Sequence, residues 1–357
     1  MPLVYPSLPS HFTIGIFGAQ YHGQIPSEKK DFAIKTFGDL LKASAQYVDE
    51  AVHDDSERGA GLSRIWVSYW RSPEAYRQWW TSEKAKQFWA ALPEDAGFWR
   101  ETLEFPSTRF LDMVTQDIPI GVAKLGPLSP LTEKSGYWGA YRDRIEEATA
   151  ENTLASKLDA VPAPTQADGS IRLGRVRMTK FPDNICFVIE GQDHTPLKGN
   201  EGKVWSSGFH SATKRWVTNA LRAGPEAGIL SSRLCHFPES GLVNVESAEL
   251  HDEPDIFPAL NITRKIQIFY FLDMRYMERI GKRDKTHVKL RKDYMNAYGS
   301  GEVFPGIMTN SDLLLWVELG ILKANAFEAE YIGCYEGTGF LAYDHHPSFP
   351  STATPNY

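Results

Sequence analysis

Strand-like runs alternate with helix-like ones along the chain, and two of these runs echo each other in the same order. This pattern predicts an α+β protein built on a duplicated unit of strands and helices. Three observations carry the prediction. The length, 357 residues, leaves room for two domains or one duplicated one at roughly 150 residues each. Hydrophobic residues at 42% against charged ones at 23% give enough apolar material for a sizeable core. Residues 65–70, followed by Ser72 and a helix, match residues 266–271, followed by Asp273 and a helix, while 18–22 resemble 190–194 in the same order.

The elements follow in order. Residues 12–18 read as a strand, and 26–51 as a helix carrying Phe37, Leu41, Ala45 and Val48 at helical spacing. Residues 65–70 are rich in β formers and read as a strand. Ser72 then caps a helix with Pro73 at its first position. Pro and Gly between 118 and 130 punctuate a linker. Beyond it, 175–180 and 185–189 flank a Pro182-Asp183-Asn184 turn and read as a hairpin. A helix over 204–223, a strand over 266–271 and a helix capped by Asp273 complete the pattern. The boundaries expected are a first half over 1–125, a second over 126–343 and a flexible tail over 344–357, rich in His, Pro, Ser and Thr.

Composition excludes several classes of function. Lys plus Arg total 38 against 45 for Asp plus Glu, a formal charge of −7, so no nucleic-acid surface is expected. Cys186, Cys235 and Cys334 lack metal spacing and are too few for a disulfide framework, which fits a reducing compartment. No apolar run approaches ~18 residues, and residues 1–6 show no basic then apolar leader. A cytoplasmic protein without a membrane anchor is the expectation. Aromatic residues make up 12% and cluster at Trp66, Tyr69, Trp70, Tyr76, Trp79, Trp80, Phe88 and Trp89. Such a cluster is ordinarily core, and a pocket for a flat apolar ligand is the sharper alternative.

The ten histidines include no His-Glu-x-x-His, and the cysteines no Cys-x-x-Cys. His11, His22, His53, His194, His210, His236, His251, His345 and His346 carry no ligand signal. His287 differs. Behind Asp284 as N-cap, it shares a helix face with Leu290, Arg291 and Tyr294. It reads either as a core histidine satisfied by a hydrogen bond or as an axial ligand to a haem iron, where one neutral imidazole suffices.

Several motifs add to this face. They are Gly97-Phe98-Trp99-Arg100-Glu101, Gly136-Tyr137-Trp138-Gly139-Ala140-Tyr141-Arg142-Asp143-Arg144, Asp183-Asn184-Ile185 with Gly191-Gln192-Asp193, Gly224-Pro225 and Gly337-Thr338-Gly339. In order and spacing, over about 12–341, they resemble the haem-containing aldoxime dehydratases. Residues 284–291 and Asp312-Leu313-Leu314-Leu315-Trp316-Val317 resemble the fungal phenylacetaldoxime dehydratases in particular.

The resemblance implies two ferredoxin-like halves of the dimeric α/β-barrel type, with antiparallel sheets covered by helices, and a homodimer. It implies one haem b, ferrous when active, in the second half, held by His287. It implies a lyase that dehydrates an aldoxime, R–CH=N–OH, to a nitrile, the iron binding the oxime nitrogen. Arg142 matches the family's distal arginine, which would hold the oxime oxygen or steady the departing hydroxide.

Two positions depart from the bacterial pattern. The distal serine falls at Glu190 and the acid–base histidine at Val317. Valine cannot move protons, so Glu190 is the expected substitute, a carboxyl whose pKa an apolar pocket would raise. Glu318 is the weaker candidate, because strand alternation turns it to the other face. Aryl-alkyl substrates such as phenylacetaldoxime fit the aromatic content. A haem enzyme acting on another N–O or peroxide substrate, and a non-catalytic haem sensor, remain as rivals.

Overall fold

The alternation of β-branched and aromatic residues with smaller or polar ones sets the strands of this chain. The computed structural model describes residues 3–23, 27–56, 59–132, 141–243, 257–298 and 311–354. The first part of the chain forms β1 (Val4–Pro6), β2 (His11–Gln20), α1 (Glu28–Lys42), β3 (Tyr47–Asp54), β4 (Leu62–Trp70), α2 (Pro73–Trp80), α3 (Glu83–Ala90), β5 (Phe98–Pro106), β6 (Phe110–Val114) and β7 (Leu128–Pro130). The second part forms β8 (Ile171–Met178), β9 (Cys186–Asp193), α4 (Gly199–Val204), α5 (His210–Arg222), β10 (Ile229–His236), β11 (Arg264–Phe271), α6 (Met274–Arg283), α7 (Lys285–Tyr298), β12 (Leu314–Ile321), β13 (Phe327–Tyr335) and β14 (Ser351–Thr354).

Helices and one large antiparallel sheet give the mixed architecture. The strands run in the order β14-β8-β13-β5-β2-β4-β3-β10-β11-β9-β12-β6-β1-β7. Two runs of four, β5-β2-β4-β3 and β10-β11-β9-β12, meet where His53 on β3 lies opposite Cys235 on β10. Successive side chains point to opposite faces. One face gathers a single core that includes Ile14, Ile16, Leu103, Ile189, Ile268, Trp316 and Tyr331. The other is covered twice. Helices α1–α3 lie over Phe17, Trp66 and Phe98, and α5–α7 over Val188, Phe269 and Val317.

The aromatic cluster is core. Trp70 meets Trp79 at 5.0 Å between ring centroids, and Trp80 meets Trp89 at 5.2 Å. Such pairs add about 0.5–1.5 kcal/mol each beyond their burial. The caps also form as expected. Ser72 Oγ accepts from the Ala75 N–H (3.1 Å), and Asp273 Oδ1 from the Arg275 N–H (2.8 Å).

Four local expectations are corrected. The helix expected over 26–51 ends at Lys42, and Tyr47 and Val48 join β3, because aromatic and β-branched residues after a turn favour the pleat. The strands on either side of the Pro182 turn do not pair. Strand β8 pairs with β13 and β14, and β9 with β11 and β12. The linker over 118–130 is packed in, with Val122, Ala123 and Leu125 buried. Within the expected tail, residues 344–354 are tied down. Phe349 is fully buried near Phe340 and Phe181, and β14 pairs with β8.

Candidate active site

Helix α7 begins where Asp284 Oδ1 accepts the His287 N–H at 2.8 Å. Asp284 satisfies one of the helix's orphan donors and fixes the first turn, and with it the ring of His287. The imidazole lies against Trp216 of α5, centroids 4.2 Å apart and planes 29° from parallel. Its Nδ1 is 2.6 Å from the Gly281 carbonyl of α6. A carbonyl only accepts, so Nδ1 carries the proton and donates. The lone pair is therefore on Nε2, the nitrogen left for a metal, with the backbone bond fixing ring and tautomer. Burial lowers the pKa of His287, with the positive Arg291 adding to this and the Gly281 bond opposing it. The ring is neutral at pH 7, as ligation requires.

Two cavities meet at this ring. One, of about 520 Å³, is walled by Trp205, Phe209, Trp216, Tyr294, Leu315 and Trp316. The other, of about 360 Å³, is walled by Val188, Phe269, Phe271, Met277 and Ile280. His287, Trp216, Tyr141, Arg291 and Glu190 line both. Leu290, Arg291 and Tyr294 all join His287 on the wall of the larger cavity, the face that the spacing predicts. The volumes fall in the range of small-molecule and cofactor pockets. A flat apolar macrocycle fits these walls, with Nε2 of His287 as the group that would hold its iron.

Glu190 stands on β9, between Val317 of β12 and Gln267 of β11 in register. Directly opposed residues share a face, so all three belong to the helix-covered side. Burial alone raises the Glu190 carboxyl to about 7. Val317 is fully buried. Glu318 points the other way, where its Oε1 accepts from the Tyr69 hydroxyl (2.9 Å) and the Val122 N–H (3.2 Å).

Arg142 reaches only the smaller cavity. Its guanidinium donates from Nε and Nη2 to Glu278 (3.0 and 3.3 Å) and from Nη1 to the Thr153 carbonyl (2.6 Å). The structure thus brings His287 and Glu190 to the lining of the same two cavities and holds Arg142 in an ion pair at the edge of the smaller one. Sequence reasoning missed Trp216, Gly281, Glu278 and Gln267. Trp216 and Glu278 fall inside expected helices and Gln267 inside an expected strand, but their types are commonplace and nothing local marks them. Of the resembling motifs, residues 136–140, like His251 among the histidines, lie outside the described residues.

A larger cavity, about 780 Å³, opens elsewhere beside Gln20, His53, Ser63, Arg233 and Tyr343. Glu101 already holds Arg233 at 2.6 and 2.9 Å, and His53 faces Asp55. It contains none of the groups gathered around His287.

The model of the haem-containing dehydratase family matches residues 15–340. The chain belongs to that family. Its relatives include a phenylacetaldoxime dehydratase of Bacillus sp. (strain OxB-1), 24% identical over 330 residues, covering 89% of this chain and 86% of the relative. An aliphatic aldoxime dehydratase of Rhodococcus globerulus is 24% identical over 338 residues, covering 92% and 86%. A crystal structure of an aldoxime dehydratase superposes with a TM-score of 0.74 at 21% identity, covering 96% of this chain and 91% of that one. A second, determined with butyraldoxime, gives 0.70 at 20% identity, covering 95% and 88%. In this haem-containing dehydratase, the histidine with a free Nε2 lone pair stands where two apolar cavities join.

Proposed function

We propose that this chain is a lyase that dehydrates aldoximes to nitriles and water, using a haem b held by His287. The observation that carries this reading is the His287 ring, neutral and fixed through Nδ1 at the junction of two cavities, in a chain of the haem-containing dehydratase family. Ferrous haem, when bound there, supplies electron density that weakens the N–O bond without net redox change.

The rest is work for the protein's own side chains. Water leaves only if the oxime oxygen gains a proton and the carbon loses one. A carboxyl at about 7 is half protonated near neutrality, so Glu190 can give the first proton and take back the second. Val317, the residue opposite it, has no proton to move. Trp205, Phe209, Tyr294 and Leu315 keep water out and favour an aryl-alkyl group, so phenylacetaldoxime is the substrate proposed. Arg142, held by Glu278, contributes a fixed charge at the edge of the smaller cavity.

The two four-strand runs, each with helices on one face, support a reading as duplicated ferredoxin-like halves over 1–125 and 126–343, the second carrying haem. No helix among the described residues is long and apolar enough to cross a membrane. A cytoplasmic homodimer is the assembly proposed.

The test is an anaerobic assay of the reduced, haem-loaded protein with phenylacetaldoxime, following the Soret band and nitrile together. Catalytic nitrile formation, lost in His287→Ala, is expected. A Soret shift with no nitrile would instead assign a sensor, and oxime consumed without nitrile another reaction.

A further inference from the structure

Strand β11 lays Gln267 directly across from Glu190, on the face where Phe269 and Phe271 two and four residues on line the smaller cavity. Cross-strand partners stand with Cβ atoms ~5 Å apart. Gln267 is 1% exposed, yet neither its amide oxygen nor its nitrogen has a partner among the described residues. A buried amide left so costs on the order of 1–3 kcal/mol, more than a core that wanted only bulk would bear. On the other side of Gln267 lies Leu234, and beyond Glu190 lies Val317, neither able to bond it. Glu190 is thus the polar side chain flanking Gln267 in this row.

We propose that Gln267 is a positioning residue for the dehydration, its amide turning to hold the Glu190 carboxyl toward the cavity. This rests on the reading of Glu190 as the proton-transfer group. A primary amide suits that task because it offers a donor to the carboxylate and an acceptor to the acid. The donor bond to the ionised form is the stronger of the two, so losing the amide raises the carboxyl's pKa. The charged and titratable groups that line the cavities with Glu190 are Glu278 and Lys282 of α6, His287, Arg291, Lys292 and Tyr294 of α7, and Tyr141, Arg142 and Asp143 before β8. None of them accounts for the state of Glu190, whose shift comes from burial. An uncharged partner is the one that remains to be set.

The test compares Gln267→Leu, and Gln267→Met as a check on packing, in two measurements. In the haem-loaded enzyme, the high-pH limb of kcat is expected to move up by about half to one unit. At pH 6 kcat should fall about tenfold while KM changes less than twofold. Added to Glu190→Gln, the Gln267 change should cost nothing further. In the apoprotein, infrared titration of the Glu190 carboxyl, assigned by its loss in Glu190→Gln, should show the same upward shift. An unmoved limb, effects that multiply, or an unshifted infrared titration would overturn the proposal. The apoprotein titration needs no turnover, so it decides for Gln267 even if no nitrile is ever formed.

Discussion

In the proposed reading one imidazole and one carboxyl carry the chemistry, and each makes a separate prediction. Removing the ring in His287→Ala leaves a hole beside Trp216 but takes nothing from the sheet. The variant is expected to fold, by circular dichroism, and to show no Soret band after haem is added. A normal Soret band would place the ligand elsewhere. Glu190→Gln is expected to bind haem normally and to form nitrile ~10²–10⁴-fold more slowly. Its apoprotein carries a second signature. The Glu190 carboxyl stands near 7 when folded, above its usual 4.5. The stability this group contributes is therefore complete below pH 4.5 and lost as pH rises through 7. Between pH 5 and 8 the Gln variant should gain on the wild type by on the order of 2 kcal/mol in urea unfolding. A constant gap would mean that Glu190 is solvated. His287 was legible from its helix face together with the family resemblance, and Glu190 only from the resemblance, as the residue standing where the distal serine falls. Gln267 and Gly281 were not, because their roles exist only across strands or between helices.

At the scale of elements, the site depends on how one helix starts and how two strands touch. Asp284→Ala removes the bond to the His287 N–H and should cost about 0.5–2 kcal/mol of stability. The same loss loosens the turn that carries the ring, so haem dissociation measured by transfer to apomyoglobin should quicken severalfold. Unchanged dissociation would show that Trp216 and Gly281 alone hold the ring. Gly191 reports on the sheet beneath the site. A Cβ there would come 2.0 Å from the Trp316 ring, which packs in the core on the sheet's uncovered face, so Gly191→Ala must displace that ring or fail to fold. Capped helices were readable from sequence because a cap spans four residues. The false hairpin arose for the converse reason. The turn at Asn184 is real, with φ at 70°, but the partners of β8 lie about 150 to 180 residues away in β13 and β14. Short-range pattern cannot choose among distant partners when every strand is a good β former.

Across the whole molecule, the two helix-covered faces are alike in plan and opposite in filling. Over the first run of strands, Phe17, Phe37, Trp66, Trp79 and Trp89 close the space between sheet and helices. Over the second, the corresponding space is the pair of cavities around His287. The aromatic cluster between Trp66 and Trp89 therefore fills the half without the cavities, as its ordinary reading as core implies. A filled half holds its helices by packing, whereas a hollow half waits for a ligand that binds only the folded state. Hydrogen exchange on the apoprotein should find α5, α6 and α7 opening at lower free energy than α1, α2 and α3. Haem at a hundredfold excess over its Kd should then add about 2.7 kcal/mol of protection, confined to α5–α7 and the strands beneath them. Equal protection of both halves before haem, or a gain spread evenly over them, would mean that the first half's packing and the second half's stability are one cooperative unit.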